Sequence, residues 1–209
     1  MANETDQFGP WQPWQPEEVT RLFSSLTVPW WIAGGWALDL FLGVQTRVHE
    51  DIDILFLRRD QRAIRTLLHG WDVQEAHPEL LPGPWPFQEW KQDAFLPAAV
   101  HDIWCRPHAR DPWAWALQLM VTDASDDQWI FRRTAQIHGP LATLGRVTRD
   151  GIPYLAPEIQ LLYKAKGLRP KDEADFARTL PALDGQSRQW LAQSLALVHP
   201  GHAWLTKLT

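Results

Sequence analysis

WWIAGGWALDLFLGVQTRVHEDIDILFLR, residues 30–58, decides the reading of this chain. Trp30-Trp31-Ile32-Ala33 is a short apolar run, consistent with a buried strand. Gly34-Gly35 follows as a turn. Residues 36–42 read as a buried helix with Gly43 just past its end, where a left-handed residue closes helices. Residues 52–57 form a strong second strand. On that reading Asp51 and Asp53 stand two apart along one strand, and side chains two apart share a face. Two ionised carboxylates so placed repel one another unless a cation lies between them. Oxygen donors in that number suit Mg²⁺, which takes one or two carboxylates and leaves other positions to water and phosphate oxygens. The Gly-Gly turn would let backbone N–H groups approach a phosphate, with a helix N-terminus behind them. Arg47, shortly before the acids, offers a rigid fork of donors for the same anion; its other reading is a structural ion pair.

Outward from this stretch, Pro16-Glu17-Glu18 opens a helix whose apolar stripe is Val19, Leu22, Phe23 and Leu26. Residues 1–16, rich in Pro, Gln and Trp, read as an extended arm lying free or against the body. Asp60 is placed to cap a helix carrying Ile64, Leu67 and Leu68, closed by Gly70. Residues 77–90, with four prolines, read as a loop or as two short strands joined by one. Residues 99–105 form a strand. Residues 113–122 alternate as a strand does, a helix capped by Asp111-Pro112 being the alternative. Asp123 to Asp127 is a turn and Trp129-Ile130-Phe131 a returning strand. Past Asp150-Gly151 the pattern turns helical: one helix from Pro157 to about Gly167, one from Asp172 to Leu180, one over 185–198. The expected organisation is a sheet-based part over 1–150 and a helical part over 151–209, an α+β fold.

Composition sets outer limits. The 209 residues are 45% hydrophobic, enough to bury a core, and carry a net charge of −5. Such a balance argues against a dedicated binder of long nucleic acid, which usually shows a basic face. Cys105 is the only cysteine, so no disulfide framework and no Cys-based zinc site is expected; a reducing, cytoplasmic setting follows. The N-terminus lacks the pattern of a secretory signal, and no apolar run is long enough for a membrane span. The 14 tryptophans are scattered, which favours packing over base stacking and leaves room for a homodimer interface.

Gly34-Gly35-Trp36-Ala37-Leu38-Asp39 together with Thr46-Arg47-Val48-His49-Glu50-Asp51-Ile52-Asp53 resembles the small nucleotidyltransferases of the DNA polymerase β superfamily. The likeness is nearest to the aminoglycoside and lincosamide adenylyltransferases. It implies a mixed sheet flanked by helices, followed by a small helical C-terminal part. It implies transfer of a nucleoside monophosphate, AMP from ATP in the first instance, to a hydroxyl, with release of pyrophosphate. Asp51 and Asp53 would hold Mg²⁺ and the triphosphate. A third carboxylate is implied on a later strand, and Asp102 matches; an acid in an apolar strand also needs a partner or a metal on physical grounds. Asp102 would bind a metal or take the proton of the acceptor hydroxyl. Gly34, Gly35, Thr46, Arg47 and Lys164 would face the nucleotide, and one of Arg132 and Arg133 could join them. Asp39 and His49 read as buried hydrogen-bonding residues.

Two acceptor classes stay open: a small molecule, to which the acidic balance adds a preference for a cation such as an aminoglycoside, and a protein or RNA end, as in toxin–antitoxin pairs. A non-enzymatic nucleotide-binding module is the third reading. The loop 77–90 is the candidate wall of an acceptor pocket.

Overall fold

The computed structural model describes residues 9–77, 87–108, 114–167 and 169–208. In chain order the strands are β1 (Trp30–Ala33), β2 (Asp53–Leu57), β3 (Trp71–Ala76), β4 (Phe87–Glu89), β5 (Asp102–Pro107), β6 (Leu117–Ser125), β7 (Gln128–Ile130), β8 (His138–Pro140), β9 (Gly145–Val147) and β10 (Pro153–Leu155). The helices are α1 (Pro16–Phe23), α2 (Gly34–Leu42), α3 (Gln61–Leu67), α4 (Pro157–Lys164), α5 (Pro170–Thr179), α6 (Gly185–Val198) and α7 (Leu205–Leu208). The main sheet runs β4-β3-β5-β6-β2-β1-β10-β9, with β7 and β8 branching from β6. It is mixed: β1 with β10 and β2 with β6 are parallel, the other pairs antiparallel.

The centre of the sheet is apolar because β1 and β2 are covered on both faces. All four residues of β1 are buried, as are Ile54 to Leu57 of β2. Such continuous runs, without alternation, mark strands with packing on both sides. α2 is buried from Gly34 to Asp39, and α4 places Ile159, Leu161 and Leu162 in the core. The tryptophans are mostly packing residues. Trp90, Trp115, Trp129 and Trp204 are fully buried, and Trp204 stacks on Phe176 with ring centroids 4.1 Å apart. From Pro10 the N-terminal arm lies on the body: Trp115 donates to the Pro10 carbonyl, and Gln12 and Trp14 donate to the carbonyls of Trp115 and Ala116.

Several boundaries differ from those expected. Gly34 and Gly35 are not a turn before the helix but its first two residues, Gly34 at φ +66°. β2 begins at Asp53, so Asp51 precedes the strand and the two acids do not share a strand face by alternation. Residues 117–125 are a strand and not a helix. The expected turn at 123–127 shrinks to Asp126-Asp127, with Asp126 at φ 50°. β3 was not foreseen. The sheet also crosses residue 150: β10 pairs in parallel with β1, Ile32 opposite Tyr154, before α4 starts. Most of the 77–90 loop (78–86), the 109–113 segment with Asp111 and Pro112, and residues 1–8 of the arm lie outside the described residues.

Candidate active site

Register places the acids. Asp53, first residue of β2, sits opposite Ala33 of β1 on one side and Gln118 of β6 on the other. Asp102, first residue of β5, sits opposite Met120. Gln118 and Met120 are two apart on β6 and share a face, so Asp53 and Asp102 flank that strand on the same face. Two strand spacings separate their backbones, about 10 Å before any stagger. Asp102 accordingly has its own partners. One oxygen accepts from Arg132 Nη1 and the other from Gln118 Nε2, both at 3.4 Å. Among the described residues no three His, Cys, Asp or Glu side chains gather closely enough to hold a metal ion together.

Asp51 and Asp53 line one cleft of ≈ 410 Å³ with Gly34, Gln118, Gln160 and Tyr163. Its other lining groups include Arg132, Arg133, Lys164, Lys166 and Arg169, five cations facing the acid pair. Burial, and then the Asp51 charge, push the Asp53 carboxyl up to about 8. A carboxyl so placed retains its proton near neutrality unless a cation arrives. The donor set, two aspartates without nitrogen or sulfur, is the one a hard divalent cation prefers. Gly34 is part of this arrangement. A Cβ there would collide with the Asp53 carboxylate, and the left-handed backbone disfavours any other residue.

The Gly34 N–H, expected to face a phosphate, instead donates to Gln160 Oε1 at 2.7 Å. The bond joins the start of α2 to α4 and satisfies a donor that the helix itself leaves unpaired. Gly35 has a different constraint. A Cβ would meet the Arg47 guanidinium and the His49 ring.

The loop between α2 and β2 is held from two directions. Inside, Asp39 accepts from the Thr46 N–H (3.0 Å), the Thr46 hydroxyl (2.7 Å) and His49 Nε2 (2.6 Å). His49 also packs on Trp36, ring centroids 4.4 Å apart, and burial lowers its pKa. Asp39 and His49 thus have the hydrogen-bonding character expected of them, and Thr46 is committed to this cluster. Outside, Arg47 donates to both oxygens of Asp175 on α5, at 3.2 and 3.3 Å. Arg47 thus makes a structural ion pair, with a partner that the sequence did not single out.

Lys164 is buried near the end of α4 and reaches Asp172 (3.0 Å) and Asp175 (2.9 Å). Arg169, more exposed, holds Asp172 at 2.7 Å. Burial opposes the charge on both aspartates, but the hydrogen bonds and charges of Arg169, Lys164 and Arg47 hold them below the ordinary carboxylate range. Gln160, Arg169 and Asp175 were missed from sequence. A weak signal existed: Asp172 and Asp175 fall on the α5 face that buries Phe176 and Thr179, and Gln160 interrupts the apolar run of α4. Lys171 pairs with Glu50 at 3.5 Å.

Comparison with known proteins follows the same geography. A family model described as aminoglycoside-2''-adenylyltransferase matches residues 17–86, the segment holding α2, the 43–52 loop and β2. The chain is similar to the aminoglycoside and lincosamide nucleotidyltransferases. A 2''-aminoglycoside nucleotidyltransferase of Escherichia coli is 45% identical over 51 residues, which is 23% of this chain and 29% of that protein. A lincosamide resistance protein of Staphylococcus haemolyticus is 43% identical over 50 residues, 23% of this chain and 31% of that protein. The matched segment therefore spans less than a third of these relatives. The fold extends further. The lincosamide antibiotic adenylyltransferase LnuA, solved with lincomycin, superposes with a TM-score of 0.53 over 80% of this chain and 95% of its own, at 20% identity. ANT(2'')-Ia, solved with adenylyl-2''-tobramycin, gives 0.56 over 87% and 95%, at 15% identity. The α+β architecture, a mixed sheet with flanking helices, is thus that of these nucleotidyltransferases. No helix among the described residues is long and apolar enough to cross a membrane.

Proposed function

We propose that the protein is a Mg²⁺-dependent nucleotidyltransferase that moves a nucleoside monophosphate, AMP from ATP in the first instance, to a hydroxyl of a small molecule and releases pyrophosphate. The observation that carries this reading is the cleft itself, with Asp51 and Asp53 facing Arg132, Arg133, Lys164, Lys166 and Arg169. A triphosphate brings several negative charges, and these cations, of which Lys164 and Arg169 are already paired with Asp172, would offset part of them. Asp51 and Asp53 are the residues that would hold a divalent cation, which supplies charge neutralisation and alignment of the phosphates when bound.

In this mechanism the acceptor oxygen forms a bond to the α-phosphorus, and the bond from that phosphorus to the β-phosphate bridge breaks. Asp102 is the candidate to accept the hydroxyl proton. Arg132, Arg133 and Arg169 hold the phosphates, Lys166 adds charge at the rim, and Lys164 contributes its charge from the buried end of α4. Gly34 leaves room for the Asp53 carboxylate, while Gly35, Thr46 and Arg47 fix the loop that presents Asp51. Positioning and charge compensation do most of the work in such transfers. The similar proteins named above are antibiotic nucleotidyltransferases, and this supports a small-molecule acceptor.

The test is incubation with labelled ATP, GTP, CTP and UTP, Mg²⁺ and a panel of aminoglycosides and lincosamides, scored by pyrophosphate release and acceptor mass. Product carrying one nucleotide is expected, and its loss in Asp53→Ala. Undiminished release by Asp53→Ala would remove the acid pair from the mechanism.

A further inference from the structure

Arg132 lines the cleft, and its pair with Asp102, which is not among the lining residues, is weakly tied. Its 3.4 Å separation exceeds the about 2.7–2.9 Å of a well-formed charged hydrogen bond. The two side chains retain 22% and 35% of their exposure, a setting in which ion pairs contribute little. Lys164 and Arg169, by contrast, meet buried aspartates at 2.7–3.0 Å. Arg133, next in the chain, is turned to the Tyr163 carbonyl at 3.1 Å. The backbone beside Arg132 is held even so: Phe131, the preceding residue, is buried and its N–H donates to the Ile137 carbonyl at 2.8 Å. Arg132 thus combines an anchored backbone with a loosely held guanidinium on the wall of the cleft.

We propose that Arg132 is an exchangeable partner of Asp102. It neutralises that carboxylate before a nucleotide enters, and passes to the phosphates of an incoming nucleoside triphosphate, leaving Asp102 free for the acceptor hydroxyl. The pairing then orders the two binding events, since the carboxylate is released only where phosphate is already in place. This rests on the nucleotidyl-transfer reading and adds a role that the reading does not require.

The exchange makes an unusual prediction about binding. If Asp102 competes with phosphate for Arg132, removing the carboxylate must tighten nucleotide binding through Arg132. The experiment is calorimetric titration of the whole protein with the α,β-methylene analogues of the four nucleoside triphosphates and Mg²⁺, which bind without turnover. For the analogue that binds best, Asp102→Asn is expected to lower Kd about two- to fivefold, the equivalent of an exposed ion pair. Arg132→Ala is expected to raise it on the order of tenfold, as loss of a charged hydrogen bond does. In the Arg132→Ala background the tightening by Asp102→Asn is expected to vanish. Asp102→Ser serves as a second variant, with melting temperatures checking that each protein folds.

Equal tightening with and without Arg132 would mean simple charge repulsion and would overturn the exchange. Weaker binding by both Asp102 variants would make Asp102 a metal or nucleotide ligand and overturn it also. If no analogue binds the unaltered protein, the nucleotidyl-transfer reading itself fails, and the exchange with it.

Discussion

The Arg47 guanidinium meets the Asp175 carboxylate across 128 residues of chain, and Asp175 in turn holds buried Lys164 at 2.9 Å. One carboxylate therefore fixes both the loop that presents Asp51 and the end of α4 that lines the cleft. Asp175→Asn leaves two cations short of a partner in a buried place. Breaking one side of such a pair costs about 3–5 kcal/mol, the lower end being expected here because Asp172 remains. Chemical denaturation should show this loss.

The same aspartates set an acid limit. Asp172 and Asp175 have folded pKa values below the ordinary 3.8. Their contribution to stability is then complete above that value and is lost as the pH falls through the lower, folded values. A plot of unfolding free energy against pH should fall below about pH 4, and Asp175→Asn should flatten that limb. An unchanged acid limb in the variant would show that other carboxylates produce it.

Asp53 works in the opposite direction. Its carboxyl is raised from 3.8 to about 8, so the folded state binds the proton more tightly than the unfolded chain does. Without a divalent cation, this group makes stability decline as pH rises from about 4 to about 8. A cation held by Asp51 and Asp53 would displace the proton and remove that decline. Added Mg²⁺ should therefore raise Tm more at pH 8.5 than at pH 6, and the increment should disappear in Asp53→Asn. Thermal scans at the two pH values decide it.

Gly34→Ala tests the close approach at the start of α2. The left-handed backbone costs roughly 1–2 kcal/mol for an alanine. The new methyl would also displace the Asp53 carboxylate. A protein that folds but loses activity at least about 100-fold is expected, because shifts of about 1 Å in a reacting group have that effect. Circular dichroism together with pyrophosphate release would separate folding from chemistry.

The sequence disclosed those parts of the molecule whose signals are local. Trp30 to Leu57 could be read because its strands are buried on both faces and its helix ends on Gly43. The helix over 185–198 showed in its own period, and the structure adds its N-cap, Asp184, which accepts from the Ser187 N–H. β3 escaped notice because buried Glu75 occupies an inward position where an apolar residue would have revealed the alternation. β9 and β10 have three residues each, too few to show a period. In the candidate site, the acids and glycines stood in one stretch, but the partners that organise them came from afar. Gln160 lies 126 residues from Gly34, and Asp175 128 from Arg47. Pairings at that distance arise from the folded topology and leave only a misplaced polar residue on an apolar helix as their trace.

β10 closes on β1, and Gln160 closes on Gly34, so the two ends of the chain are sewn together at the cleft. The glycine–aspartate stretch is consequently not a portable cassette. Excised with its neighbours up to residue 150, it would carry both acids yet lack the strand beside β1, the amide that receives the Gly34 N–H and the carboxylate that steadies Arg47. Transplanting this chemistry to another scaffold would mean moving a seam as well as a motif.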